Sequence, residues 1–287
     1  MNHASPTGPT GRFLLAGLLL ALVSGCALAP EFFWQRVDDA VIDRADEWLS
    51  LEAEQERRLR GRLEPWLREV RRERLAEYAD FLEGLAARLG PELRPADVRW
   101  ANDRFESLYA RTMDSFLPVI APTLAELSTE QRRHLARRMQ ERSSEYRTEY
   151  VDSRDDGMYA LAERVIRAVE RWTGDLQPNQ RALVHERIRE LPRTTDAWAR
   201  WRERMQQRLL ALLGRGAGVG EIERFLHQWW VGRAGQAPAV RMDELRAGLL
   251  DTLLAVGRSL NSEQRREAQR KLRDRAASLR TLVASAE

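Results

Sequence analysis

The chain has 287 residues, of which 32% are charged and 43% are hydrophobic, and its formal net charge is only +3. Positive and negative residues are interspersed along the chain, which excludes the concentrated basic surface typical of nucleic-acid-binding proteins. Nearly all of the positive charge is arginine, because Lys271 is the single lysine. The single cysteine, Cys26, has no partner for an intramolecular disulfide, so packing alone has to hold the fold together.

The N-terminus has the pattern of a secreted precursor. A basic residue precedes an apolar run over residues 13–23, which has the length of a signal-peptide core and is shorter than a membrane-spanning helix of about 20 residues. The run ends in a segment that resembles a bacterial lipobox, Leu22-Val23-Ser24-Gly25-Cys26. This resemblance implies cleavage before Cys26 and lipidation of its sulfur and new amino group. The alternative is an ordinary cleaved signal peptide followed by a buried cysteine.

Lipidation of Cys26 would determine both the location of the protein and the chemistry open to it. Several acyl chains, palmitate among them, give a stable anchor where a single chain binds only marginally. Ala27 and Leu28 follow the cysteine, and in lipoproteins that resemble this one the lack of an acidic residue there favours the outer membrane, facing the periplasm. No thiol would then remain for catalysis or for a metal site.

The remaining chain is predicted to be entirely helical. Apolar residues recur at spacings of three and four in segments 34–49, 161–172 and 242–256, and no segment of useful length alternates with period two. Residues 52–89 fit one long helix that Pro65 would kink. Breaks are expected at Gly90-Pro91, Pro118 to Pro122, residues 155–157, residues 174–178, Pro192, residues 214–218 and residues 232–238. The fold class is therefore an all-α multi-helix bundle of about nine or ten helices.

One short pattern, a leucine followed four residues later by a glutamine, occurs four times and begins an apolar helical stripe each time. The glutamines are Gln55, Gln131, Gln180 and Gln264. The first and third gaps between them are similar, and both 41–48 and 165–172 run from Val-Ile to Trp, which indicates two tandem halves. The predicted divisions are a signal peptide (1–25), a lipidated N-terminus and tether (26–36), a first half (37–160) and a second half (161–287).

The glutamine pattern has a structural and a functional interpretation. Ser128 with Gln131, and Asn261 with Gln264, have the spacing of a capping box, in which each side chain bonds the other residue's backbone N–H. The same segments are similar to the Leu-Thr-x-x-Gln motif of Spy-type periplasmic chaperones, small helical cradles that hold unfolded clients. That resemblance implies a chaperone-like role.

Along nearly its whole length, the chain resembles the Gram-negative lipoprotein family classed as domain of unknown function 6279. The resemblance rests on the lipobox, the aromatic segment Phe32-Phe33-Trp34, the four glutamine motifs and Trp66-Leu67-Arg68. It implies an all-helical lipoprotein without an established activity.

No arrangement of residues points to catalysis. The histidines beyond the signal segment, His134, His185 and His227, are dispersed and form no metal-binding pair. The chain has no nucleophile elbow and no phosphate-binding loop. We therefore predict no catalytic residues, no metal, no cofactor and no enzymatic activity. A tryptophan exposed near His227 would be a candidate contact for a partner.

Two functional hypotheses remain from the sequence. The first is a lipid-anchored envelope protein with a helical binding surface, chaperone-like or an adaptor for envelope proteins. The alternative is a structural envelope lipoprotein that binds no client. Arg266, Arg270 and Arg273 fall close to one face of a predicted helix and are candidates for contact with anionic lipid headgroups or an acidic partner. No nucleic-acid partner is expected.

Overall fold

The computed structural model of the chain describes residues 36–152, 156–231 and 239–285. Cys26, the signal peptide and the tether up to residue 35 lie outside these residues. The helices are α1 Val37–Leu49, α2 Ala53–Glu69, α3 Leu75–Arg88, α4 Pro95–Ala125, α5 Thr129–Arg147, α6 Asp156–Thr173, α7 Pro178–Arg189, α8 Thr195–Gly214, α9 Val219–Trp230, α10 Ala239–Ser259 and α11 Ser262–Ala284. Over the described ranges the fold is all-α, as predicted.

Helices α2 and α3 form one continuous rod through a π-helical turn, Val70–Arg74. The N–H of Leu75 donates to the carbonyl of Val70, one residue further back than in an α-helix. Pro65 lies inside α2. With α2 and α3 counted as one rod, the described part of the chain contains ten helices. The long helix expected over 52–89 is therefore present.

The break predicted at Pro118 to Pro122 is wrong, because both prolines lie inside α4. Pro118 is exposed, so water can bond the carbonyl that the missing proline N–H leaves free. Leu117, Val119 and Ala121 around it are buried. Their burial outweighs the local preference of proline to end a helix.

The helices form two similar sets, α1–α5 and α6–α11. Each set packs its third helix on the other set, an arrangement that we call the exchange. In the first set α1 packs on α2 and α5, and α2 packs on α4; in the second set α6 packs on α7 and α11, and α7 packs on α10. The third helix of each set packs on the last helix of the other set, so α3 lies on α11 and α8 lies on α5. This correspondence is what a duplication would produce; the duplication itself stays a prediction.

The apolar clusters reflect the exchange. The first cluster contains residues of α1, α2, α3, α4 and α11, including Leu82 and Leu279. The second cluster joins α1, α4 and α5 with α8 and α9 and includes Trp48 and Leu226. A third cluster lies among α6, α7 and α10. Two of the three clusters therefore contain helices from both sets, which makes the sets mutually dependent.

The predicted boundary between 160 and 161 falls inside α6. Helix α5 continues into a second π-helical turn, Thr148–Asp152, and α6 already begins at Asp156. Met158 and Ala162 of α6 are both buried in the third cluster. The residues on either side of the predicted boundary therefore belong to one packed helix.

Candidate functional site

The four motif glutamines lie in the interior as two pairs. Gln55 and Gln131 exchange hydrogen bonds through their side-chain amides, with 3.1 Å from Gln55 Nε2 to Gln131 Oε1. Gln180 and Gln264 do the same at 2.9 Å in both directions. All four side chains are buried. We call these pairs the first and second glutamine clasps.

In each clasp, the side-chain amides also form hydrogen bonds to the backbone. Every Oε1 accepts the N–H of the residue before its own helix, at 2.8–3.0 Å. Gln131 Nε2 also donates to the carbonyl of Ser50 at 2.8 Å, and Gln264 Nε2 donates to that of Asp175 at 2.9 Å. The glutamines thus tie one helix start to the loop before another. Their amides are saturated inside the protein, so none of them is available to a client.

The sequence indicated the capping role of the glutamines but not their pairing. Helices begin at Thr129 and Ser262, and the N-cap side chains of Ser128 and Asn261 accept the N–H of the glutamine three residues on. The two members of a clasp are 76 or 84 residues apart along the chain. The recurrence of one motif four times was the only signal that they form pairs.

The predicted basic face lies on the outside of α11. Arg266, Arg270 and Arg273 are all exposed. Arg270 donates to Glu267 at 2.7 Å and to Asp274 at 2.8 Å, so acidic neighbours on the same helix offset its charge. Arg266 and Arg273 form no ion pair with the described part of the chain. The face is therefore less basic than its arginines alone suggest.

The tryptophan candidate near His227 is not exposed. Trp229 is 8% exposed and Trp230 is half-buried. His227 is exposed, and its Nδ1 lies 2.7 Å from a carboxylate oxygen of Asp114. Both tryptophans contribute to the packing of α9 on its neighbours. They offer little surface to a partner.

A groove between α8 and α9 combines apolar and basic lining. Its volume is about 410 Å³. The lining residues are Met205, Arg208, Ala211, Leu212, Arg215, Phe225 and Gln228. The amphipathic pattern of both helices produces it, because residues one turn apart on each helix project towards the same furrow.

The loop between α8 and α9 holds the groove in shape. Gly216 has a φ of +71°, and the N–H groups of Gly216 and Ala217 donate to the carbonyls of Leu213 and Leu212. This is a Schellman termination, which favours glycine at the left-handed position. Beneath the groove, Ile222 and Leu226 are fully buried. Phe225 stands edge-on to Trp229, with their ring centroids 5.8 Å apart. These residues belong to the second cluster.

The charges on the groove are positive. Arg208 is exposed and has no ion-pair partner among the residues that the structure describes. Arg215 pairs with Glu221, but both side chains stay largely in solvent, at 60% and 38% exposure. None of the lining residues is a carboxylate. The groove therefore presents the half-buried ring of Phe225, with small exposed parts of Met205 and Leu212 (7% and 8% exposed), between two guanidinium groups.

The opposite side of α8 packs on α5 through buried polar groups. Arg202 is 3% exposed, donates to the carbonyl of Arg142 at 3.2 Å and lies over the ring of Tyr146 at 4.7 Å. Burial lowers the pKa of the Arg202 guanidinium, because the charged form loses its hydration. Its Nε and Nη1 atoms have no hydrogen-bond partner.

A bidentate ion pair also joins α5 to α8 beside this polar contact. Arg147 donates from Nε and Nη2 to the two carboxylate oxygens of Glu203, at 2.7 Å and 2.9 Å. These hydrogen bonds lower the pKa of Glu203, against the opposing effect of burial. Helix α8 is thus fixed on one side by α5 and presents its groove on the other.

Within residues 36–152, 156–231 and 239–285, no group of three or more His, Cys, Asp and Glu residues is placed to hold a metal ion. None of the described helices has the length and apolar character needed to cross a bilayer.

The family of unknown function DUF6279 matches residues 47–228, which is more than half of the chain. The chain belongs to this family. No curated protein and no solved structure matches it significantly.

Proposed function

We propose that the protein is a lipid-anchored adaptor of the cell envelope, held at the outer membrane through Cys26, with a helical body that binds an envelope protein. The observation that carries the proposal is the groove between α8 and α9, where apolar and basic side chains meet beside the buried second cluster. Adaptors bind by surface complementarity and need no catalytic group. The dispersed histidines are compatible with such a role.

An adaptor fits the surface better than a chaperone cradle. A cradle for unfolded chains needs broad apolar surface, and the large hydrophobic side chains exposed on the described ranges are Tyr159, Val219 and Leu253. The motif glutamines, on which the chaperone analogy depended, are buried and saturated by the clasps. A confined groove suits one defined partner segment rather than many clients.

A structural lipoprotein without a binding partner is the second candidate. The many exposed ion pairs within helices and between them favour it, because they give a polar surface whose charges are paired with one another. Exposed pairs of this kind contribute little to stability, about 0–1 kcal/mol each. The two candidates differ in one respect that can be tested, namely whether the groove is occupied in cells.

The test is photo-crosslinking from the groove in living cells. A photo-reactive amino acid at position 208 should give a discrete adduct with an envelope protein, and Ala211→Trp in the same chain should abolish it by filling the groove. The same photo-reactive group at Glu130, an exposed residue in the first turn of α5, is the control and should give none. An adduct that survives Ala211→Trp, or no adduct at position 208, would favour the structural candidate.

The anchor is tested separately. Cys26→Ala should leave the precursor uncleaved by the lipoprotein signal peptidase and should remove acyl labelling. Normal labelling of this variant would end the lipoprotein assignment. Arg266 and Arg273 would add attraction to anionic headgroups of about 1 kcal/mol per residue near the surface. Their replacement by glutamine should then weaken sedimentation with anionic liposomes at low salt but not at high salt.

A further inference from the structure

We propose that the groove between α8 and α9 receives an acidic amphipathic helix of the partner protein, with one apolar side chain seated between two carboxylates. This inference rests on the proposed adaptor function and specifies the partner at the same groove. An amphipathic helix that places its apolar face in a groove is a recurrent mode of peptide recognition.

The spacing of the lining residues sets the pattern of the partner. Arg208 and Arg215 are seven residues apart on α8, as are Met205 and Leu212. Seven residues are two helical turns, a rise of about 10.5 Å. A partner helix that runs along α8 would repeat at the same distance. It would therefore carry acidic residues at positions i and i+7 and an apolar residue at i+3 or i+4 between them.

Charge complementarity decides the sign of the partner. The two charged residues of the lining are both arginines, and Arg208 has no ion pair in the described chain. A guanidinium can bind a carboxylate through two parallel hydrogen bonds. Arg215 already has Glu221, and this exposed pair would have to be replaced or shared. Arg208 is therefore expected to contribute more to partner binding than Arg215.

An acyl lipid fits the groove less well than a helix. Of the large apolar side chains of the lining, Met205 and Leu212 lie two turns apart on α8 and Phe225 lies on α9, and the groove opens to solvent. A lipid chain there would leave methylene groups in water, each of which forfeits about 0.8 kcal/mol of binding. A helix needs to bury only its apolar stripe. The flexible thioether of Met205 can adjust to the seated side chain.

The test measures peptide binding to the full lipoprotein in zwitterionic nanodiscs. The probe is a fluorescent peptide of about 15 residues, near the length at which isolated helices become stable. It carries Glu at i and i+7 and Leu at i+3 and i+4. We expect saturable binding by fluorescence anisotropy, weakened at least about tenfold by Arg208→Glu, which corresponds to about 1.4 kcal/mol. Raising the salt concentration should also weaken it.

Matched controls separate charge and shape from loss of folding. Arg133 is exposed on α5 and, like Arg208, has no ion pair with the described residues, so Arg133→Glu should leave binding within about twofold of the wild-type value. Ala211→Trp should abolish binding without any change of charge. A peptide with Lys in place of the first Glu should bind poorly to the wild type, and Arg208→Glu should restore its binding.

Two results would overturn the inference. One is equal binding of the Glu peptide and a Gln peptide to the wild type, and the other is displacement of the peptide by a free fatty acid at the same groove. Absence of peptide binding together with a persistent adduct from position 208 in cells would refute the acidic helix and leave the adaptor function standing. Absence of both would refute the adaptor function as well.

Discussion

The two exchanged interfaces share an arrangement of helices but not a chemistry. At the α3–α11 interface, Leu82, Ala276 and Leu279 are buried in an apolar cluster. At the α5–α8 interface, Ser143 donates to Gln206 at 3.1 Å, and Arg202 lies buried beside them. At each interface, an arginine on the last helix of a set forms a salt bridge to the other helix. These are Arg280 with Glu83 and Arg147 with Glu203.

Residues at the two interfaces occupy equivalent positions when each helix is numbered from a glycine or glutamine that both sets share. Tyr78 and Leu82 precede Gly90 by the distances at which Arg202 and Gln206 precede Gly214. In the same way, Ser143 and Tyr146 follow Gln131 as Ala276 and Leu279 follow Gln264. On α3, the buried hydroxyl of Tyr78 bonds Thr112 of α4 at 3.0 Å and not α11. We therefore expect the polar contacts of α5 with α8 to orient α8, and with it the groove, while adding little stability.

The largest effect is expected from truncation in the apolar interface. Leu279 is 1% exposed between α11 and α3, so Leu279→Ala should lower the free energy of unfolding by about 2–5 kcal/mol through lost burial and a cavity. Leu253, which is 42% exposed, provides the control, and Leu253→Ala should change the free energy by less than about 0.5 kcal/mol. Urea titration followed by circular dichroism measures both. Equal effects would mean that the α3–α11 contact is not a core.

A smaller effect is expected at the clasps, and it should be the same in both sets of helices. Gln55→Ala and Gln180→Ala each leave the buried amide of the partner glutamine short of hydrogen bonds, which costs about 1–3 kcal/mol. The double variant Gln55→Ala/Gln131→Ala should cost less than the sum of its parts, because the two residues share their bonds. Gln140→Ala, at an exposed site, should be neutral. Additive costs in the double variant would contradict the clasp.

The smallest effect on stability is expected at Arg202. Its guanidinium is buried with two unpartnered nitrogens, so its hydrogen bonds and its contact with Tyr146 roughly offset the cost of desolvation. Arg202→Met keeps the volume and removes the charge. It should leave the free energy of unfolding within about 1 kcal/mol of the wild-type value. The same urea titration decides this, and a loss above about 2 kcal/mol would show that the polar interface stabilises the fold as strongly as the apolar one.

Local patterns in the sequence determined the helical class, the helix starts and the capping role of the glutamines. Apolar periodicity specifies a helix wherever burial supplies most of its stability, and Ser128 and Asn261 mark their N-caps through bonds that span only three residues. The same local reasoning failed at Pro118 and Pro122, where the buried faces of α4 outweighed the preference of proline.

Only the tertiary structure decided which helices meet. The exchange of α3 and α8 and the clasp partners depend on contacts between residues far apart in the chain, and the groove with Arg208 depends on how the consecutive helices α8 and α9 pack. An apolar stripe shows that a helix must be covered but does not identify the covering helix, because the hydrophobic effect is not directional. The sequence therefore determined what each helix buries, whereas packing decided which helix covers it and which surface remains for a partner.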